Sequence, residues 1–215
     1  MVQAEKTTLV VDSGPDFRSQ MLRAGVKRLD GIVFTHSHKD HVAGLDDVRA
    51  FNFFTGRPME VYASEMTQAV LIREFPYAFA DLKYPGVPDI RLNTIDPEPF
   101  VVGDIPVVPI LVWHMKMPVF GFRFGDFTYI TDASRIDAAE MEKIRGSRVL
   151  VLNTLRKEQH ISHFTLDEAV RISSEIGPEV ALFTHLSHQM GLHQEISNEL
   201  PEGIYLAYDG LVISL

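Results

Sequence analysis

Apolar positions along the chain switch repeatedly between strand-like and helix-like spacing. Thr7-Thr8-Leu9-Val10-Val11 is a β-branched run that reads as a strand, ending at Asp12-Ser13-Gly14. Pro15 then opens a helix from Asp16 to Ala24, stopped by Gly25. Gly31 to Thr35 is short and apolar and reads as a buried strand, while Val42 to Val48 has helical character. Phe51 to Gly56 reads as an aromatic-rich loop. Val61-Tyr62-Ala63 is a short strand, and Ser64 caps a helix running to about Phe75. Residues 76–99 carry several prolines and little periodicity, which predicts a long irregular excursion of the kind that covers a site.

The second half alternates more regularly. Ile105 to Trp113 is a strand leading to His114. Val119 to Phe124 and Phe127 to Thr131 form a hairpin turning at Gly125-Asp126. A helix is expected over Asp137 to Arg145 and a strand over Arg148 to Leu152. Thr165-Leu166-Asp167-Glu168 is a capping box that opens a helix to about Ile176, closed by Gly177-Pro178. Val180 to Thr184 is a strand ending at His185. Ile204 to Tyr208 and Leu211 to Ser214 read as a final hairpin around Asp209-Gly210. Strands in hairpin-like groups, followed by strands alternating with helices, predict one layered α/β domain with mixed sheets over residues 1–215.

The densest chemistry lies at Thr35-His36-Ser37-His38-Lys39-Asp40-His41. His36 and His38 are two apart in extended chain, so their side chains point the same way. Asp40 and His41 follow the bend and can address a second point nearby. Neutral imidazoles with a carboxylate suit a borderline divalent ion such as zinc or manganese, and such mixed ligation also accepts iron. The chain has no cysteine, so disulfides and thiolate ligation are excluded. Net charge is −9, without a basic tract, which disfavours nucleic acid as a partner. A hydrophobic share of 46% and a charged share of 23% are ordinary for a globular chain. No apolar leader or membrane-length run is seen, so the expectation is a cytoplasmic protein with no membrane partner.

The seven-residue stretch resembles the His-x-His-x-Asp-His signature of the metallo-β-lactamase superfamily. The resemblance continues through Asp12-Ser13-Gly14-Pro15-Asp16-Phe17-Arg18, Gly121-Phe122, Thr131-Asp132 and Thr184-His185-Leu186-Ser187-His188. It is closest to the small phosphodiesterases that act on cyclic ribose phosphates in phosphonate breakdown. It implies the superfamily's fold, a four-layer αββα sandwich of two mixed β-sheets, with metals at the sheet edges. It also places the start of the chain almost at the superfamily's second strand. The first strand and Gly-rich turn are then missing, either because the protein is shortened or because the sequence lacks its beginning. The cysteine-bound structural zinc that relatives often carry there has no replacement.

The resemblance implies two divalent metal ions. His114, at a strand end, would join His36 and His38 as a third neutral ligand. Asp132 would bridge both ions. His185 would complete the second site with Asp40 and His41. For Asp12, helix capping and fixing a ligand imidazole weigh equally, and His188 is a candidate for the latter task. His163-Phe164-Thr165 resembles the His-Ser-Thr element of the tRNA-maturation phosphodiesterases, in which the His contacts the scissile phosphate. His163 would then protonate the departing oxygen, with His160 near the substrate. The implied activity is hydrolysis of a small-molecule phosphodiester by a hydroxide bound between two metals and oriented by Asp40. Aromatic residues such as Phe53 and Tyr84 are expected to border the pocket or, with equal weight, to pack under a long loop or form a dimer contact. The alternatives are a thioesterase of the hydroxyacylglutathione type, a tRNA-processing nuclease, or a metal-binding domain without catalysis. Family analogy adds a homodimer.

Overall fold

The computed structural model describes residues 1–215, which fall into two compact units, Met1–Ile105 and Pro106–Leu215. The first holds β1 (Val2–Gln3), β2 (Thr8–Val11), α1 (Phe17–Arg23), β3 (Gly31–Val33), α2 (Lys39–Val42), α3 (Arg49–Thr55) and β4 (Met59–Ala63). α4 (Glu65–Glu74), α5 (Pro76–Phe79), β5 (Ile90–Thr94) and β6 (Phe100–Val102) follow. Strands β1 to β5 form one sheet in sequence order. β1 runs antiparallel to β2 and the remaining neighbours are parallel, so the sheet is mixed. Val10, Ile32, Phe34, Val61 and Ala63 bury one sheet face against Phe17, Met21, Val42, Leu45, Phe51 and Leu71 of the helical segments. Burying each Val, Leu, Ile, Met or Phe side chain among these stabilises by about 1.5–3 kcal/mol.

The second unit takes β7 (Ile105–His114), which opens at the boundary residue, then β8 (Met117–Phe124), β9 (Phe127–Ile130) and β10 (Arg135–Ile136). After these come α6 (Ala138–Ile144), β11 (Val149–Asn153), α7 (Leu166–Ile176), β12 (Val180–Thr184), α8 (His193–Glu199) and β13 (Ile204–Leu206). The sheet order is β10-β7-β8-β9-β11-β12-β13. The first three pairings are antiparallel and the last three parallel. Leu150, Leu152 and Phe183 pack with Ile144, Ala169, Ile172 and Ile196 from the helices. Val149, Val151 and Leu182 alternate onto the opposite face. Both faces of β11 are buried, which explains its unbroken apolar run. The direction of pairing brings the C-terminal ends of β7, β9, β11 and β12 to the same end of this sheet.

Three sequence expectations are corrected. Phe51–Thr55 is helical, not a loop. Phenylalanine is a middling helix former, but Phe51 is buried and Gly56, at φ 65°, closes the turn by donating to Asn52 O at 2.8 Å. The 76–99 excursion contains α5 and β5. There Arg91 and Asn93 bond Glu60 of β4 at 2.8 and 2.9 Å and help fix the pairing. The final hairpin does not form. β13 pairs parallel to β12, and Leu211 packs beside Leu182 instead of extending a strand. The helix α8 and the short strands β1, β6 and β10 have no counterpart in the sequence expectations.

Candidate metal centre

In the first unit the parallel register of β2 and β3 sets their tips side by side. Asp12 follows β2 in the left-handed region, at φ 60°. Its carboxylate accepts from Thr35 N at 2.8 Å, Thr35 Oγ1 at 2.8 Å and His41 Nδ1 at 2.8 Å. The carboxylate can only accept, so the shared proton belongs to His41 Nδ1, and Nε2 is the atom turned away from Asp12. Thr35 Oγ1 spends its proton on Asp12 and can accept from His36 Nδ1 at 3.0 Å, which presents Nε2 of His36 in the same way. Asp12 caps nothing here: α1 begins after Asp16.

The turn that carries the histidines is pinned to the Asp12-Ser13-Gly14 segment. Ser13 N donates to His41 O at 2.7 Å and Gly44 N to Ser13 O at 2.8 Å. A Cβ on Gly14 would lie 2.5 Å from Asp40 O, so only glycine permits this approach. Lys39 reaches Glu74 of α4 in an ion pair. His36 is almost fully buried while His38 and Asp40 are exposed. His36 Nε2 and His38 Nδ1 are 3.1 Å apart, and His41 Nε2 is 3.5 Å from Asp40 Oδ2.

In the second unit four residues at or just beyond strand tips matter. His114 ends β7, Asp132 follows β9, Asn153 ends β11 and His185 follows β12. Asp132 and His185 are left-handed at φ 57° and 59°, as is Met115 after His114 at 57°. Such a conformation costs a non-glycine residue about 1–3 kcal/mol and persists only where its surroundings hold it. Asp132 Oδ2 accepts from Thr131 Oγ1 at 2.7 Å. Its Oδ1 is 3.0 Å from His163 Nε2 and 3.2 Å from His185 Nε2. His114 Nδ1 meets two carbonyl oxygens, Asp132 O at 2.9 Å and Ser162 O at 3.0 Å. It must donate to them, so Nε2 of His114 is the presented atom. Ligand atoms of His114, Asp132 and His163 lie within 4.8 Å of one another.

His163 arrives on a strap over residues 156–165. A bridge between Arg156 and Thr165 closes the strap, and Phe164 N donates to Ala133 O at 2.9 Å. The Arg156 guanidinium braces it from within, bonding Gln159 O at 2.9 Å and Gln189 Oε1 at 2.7 Å. His163 Nδ1 lies 2.9 Å from Ser162 Oγ and 3.2 Å from His160 Nδ1, and its ring stacks on His185 at 4.7 Å. Partial burial, then the neighbouring His163, Arg156 and His185, hold the His160 imidazole below its ordinary value. His188 is exposed. His193 opens α8, with Nδ1 3.4 Å from Ser197 Oγ.

Thr35, Ser162 and Asn153 were not singled out in the sequence. A threonine beside a ligand-type histidine and a polar residue ending an all-apolar strand were the available signals.

Residues 7–186 match the model of the β-lactamase superfamily domain. A solved diphosphatase of the PhnP family is 38% identical, with a TM-score of 0.91 over 99% of this chain and 82% of that one. An octanoyltransferase of Porphyromonas gingivalis is 38% identical over 205 residues, 94% of this chain and 41% of that protein. A ribonuclease Z of a Bradyrhizobium species is 33% identical over 135 residues, 58% of this chain and 42% of the enzyme. The chain thus spans about two fifths of the length of these two curated relatives. No helix is long and apolar enough to cross a membrane. With two mixed sheets flanked by helices and the His-x-His-x-Asp-His turn at a strand tip, the chain belongs to the metallo-β-lactamase superfamily and, within it, to the PhnP family.

Proposed function

We propose that this chain is a binuclear metal-dependent phosphodiesterase acting on a small cyclic or nucleotide-like phosphodiester. In this reading His36, His38 and His114 hold one ion, Asp40, His41 and His185 hold the other, and Asp132 bridges them. The donor chemistry fits: His36, His41 and His114 each have Nδ1 turned to an oxygen partner, leaving Nε2 as the ligand atom. Zinc or manganese suits such a set, with iron also accepted. Two bound divalent ions would supply a nucleophile at neutral pH and offset the charge that develops on the phosphate.

The residues would divide the remaining tasks. Asp40, whose carboxylate is exposed, orients the attacking water. As the new P–O bond forms and the old one breaks, His163 delivers a proton to the departing oxygen. The observation that carries this reading is the strap that brings buried His163, which follows no strand tip, to 3.0 Å from Asp132. His160 and Ser162 stand behind its Nδ1, so that Nε2 faces the ligand cluster, 3.0 Å from Asp132 Oδ1.

The test is His163→Ala assayed on two diesters. Turnover of an alkyl or cyclic nucleotide diester should fall about 10²–10⁴-fold, the usual contribution of a general acid. A nitrophenyl diester, whose leaving group needs little protonation, should be far less affected, with metal content intact. Equal slowing of both substrates would make His163 a phosphate-positioning group, and no slowing of either would remove the support for a phosphodiesterase. A second reading, cleavage of a diphosphate bridge, is favoured by the 38% identical diphosphatase. Faster turnover of a dinucleotide linked through pyrophosphate than of a cyclic monophosphate would select it. A thioester belongs in the same panel, because turnover of the thioester alone would favour the hydroxyacylglutathione type.

A further inference from the structure

The end of β11 carries a residue with no ligand chemistry of its own and an unusual set of bonds. Asn153 is fully buried between β9 and β12. Its side-chain amide accepts from Ala133 N at 2.8 Å and donates to Ala133 O at 3.0 Å. One side chain therefore takes both backbone groups of the residue that follows Asp132. The same Ala133 O also accepts from Phe164 N at 2.9 Å, next to His163. Asp132 itself is left-handed at φ 57°, a conformation that relaxes unless neighbours fix it. Thr131 holds its carboxylate, and Asn153 holds the chain immediately after it.

We infer that Asn153 is the positioning residue for Asp132, the clamp that keeps this carboxylate aimed where two ions share it. The inference rests on the assignment of Asp132 as the bridging ligand. Asparagine is suited to the task because its fork offers one donor and one acceptor, the complement of a single residue's N–H and C=O. An ionised aspartate keeps only the acceptor, and an apolar residue keeps neither. The clamp also ties the turn after Asp132 to the strap, since Ala133 O serves both Asn153 and Phe164. Partners standing behind metal ligands typically change affinity 10–100-fold when removed.

The test uses Asn153→Asp and Asn153→Ala in the full chain, in two measurements. In the metal-free protein, NMR hydrogen exchange at the Ala133 amide should accelerate at least tenfold in Asn153→Ala, with amides of α1 unchanged. In a zinc titration against a competing chelator, affinity should fall at least tenfold in Asn153→Ala and by less in Asn153→Asp. kcat should fall with little change in KM. Should Asn153→Ala fail to fold, the zinc titration of Asn153→Asp decides alone. Zinc affinity within twofold of the parent in the folded variant overturns the inference, however much stability is lost. Asp132→Ala in the same titration separates the two claims. If it leaves zinc affinity unchanged, the bridging assignment fails and the inference fails with it. If it weakens binding and the folded Asn153 variant does not, the inference alone is wrong.

Discussion

Gly14→Ala offers a sharp test of how the histidine turn is held. The added Cβ would sit 2.5 Å from Asp40 O, and the obstacle is backbone rather than a flexible side-chain end. Ordinary contact requires the two segments to part by about 1 Å. They are also joined by Ser13 N to His41 O at 2.7 Å and Gly44 N to Ser13 O at 2.8 Å, so parting strains bonds on both sides of the turn. Overpacking of this kind costs about 1–3 kcal/mol, which for a chain of this size lowers Tm by roughly 2–4 °C per kcal/mol. The companion variant is Gly25→Ala. Gly25 has φ 64° with nothing near its missing Cβ, so alanine there adds left-handed strain of about 1–2 kcal/mol and no collision. Both variants should unfold earlier in a thermal scan of the metal-free protein. Only Gly14→Ala should also weaken zinc binding, because it displaces Asp40 and His41. Equal zinc affinity in the two variants would refute the view that this close approach sets the ligand turn.

Asp132→Ala should reduce bound metal as well as rate, since both proposed sites lose a ligand, and two full-occupancy ions by elemental analysis would contradict a bridging role. The His160 imidazole should titrate below the ordinary histidine value in NMR of the metal-free protein, and His163→Ala, which removes one cause, should raise it. Because the folded pKa is depressed, the unfolded chain takes up this proton first. Stability should therefore fall as pH drops below about 6.5 and be unaffected by this group above it. Phe53 and Tyr84 are 84% and 71% exposed, so Phe53→Ala with Tyr84→Ala should change stability by no more than about 0.5 kcal/mol each. If these rings border the substrate pocket, KM for diesters with aromatic leaving groups should rise, and an unchanged KM would leave them as ordinary surface.

Local chemistry alone made the histidine turn legible. Four ligand-type residues within six positions need no distant partner to be noticed, and the apolar run before them marks a strand. The same holds for β11, β12 and the capping box of α7, whose signals lie within one stretch of chain. Where burial elsewhere outweighed local preference, the reading went astray. Phe51–Thr55 folds as a helix because Phe51 has a core to enter and Gly56 ends the turn. β5 was hidden among prolines because its pairing with β4 rests on Glu60, some thirty residues earlier in the chain. The last residues gave up a hairpin because β13 pairs parallel to β12 and Leu211 turns to an apolar face that only the folded sheet creates.

The support around the ligand-type residues was beyond sequence reading for the same reason. Strand-tip histidines and aspartates were visible as residue types, but the left-handed backbone at Asp12, Asp132 and His185 was not. Nor was the proton arrangement that turns Nε2 of His41 and His114 outward, which depends on oxygens delivered by other strands and by the strap. Asn153 is the clearest case. Its amide completes the backbone of Ala133 across a sequence separation of 20 residues, and only parallel pairing of β9 with β11 brings the two together. Residue types and their spacing along one strand set the candidate chemistry; the orientation of each donor atom was decided by hydrogen bonds between segments distant in sequence.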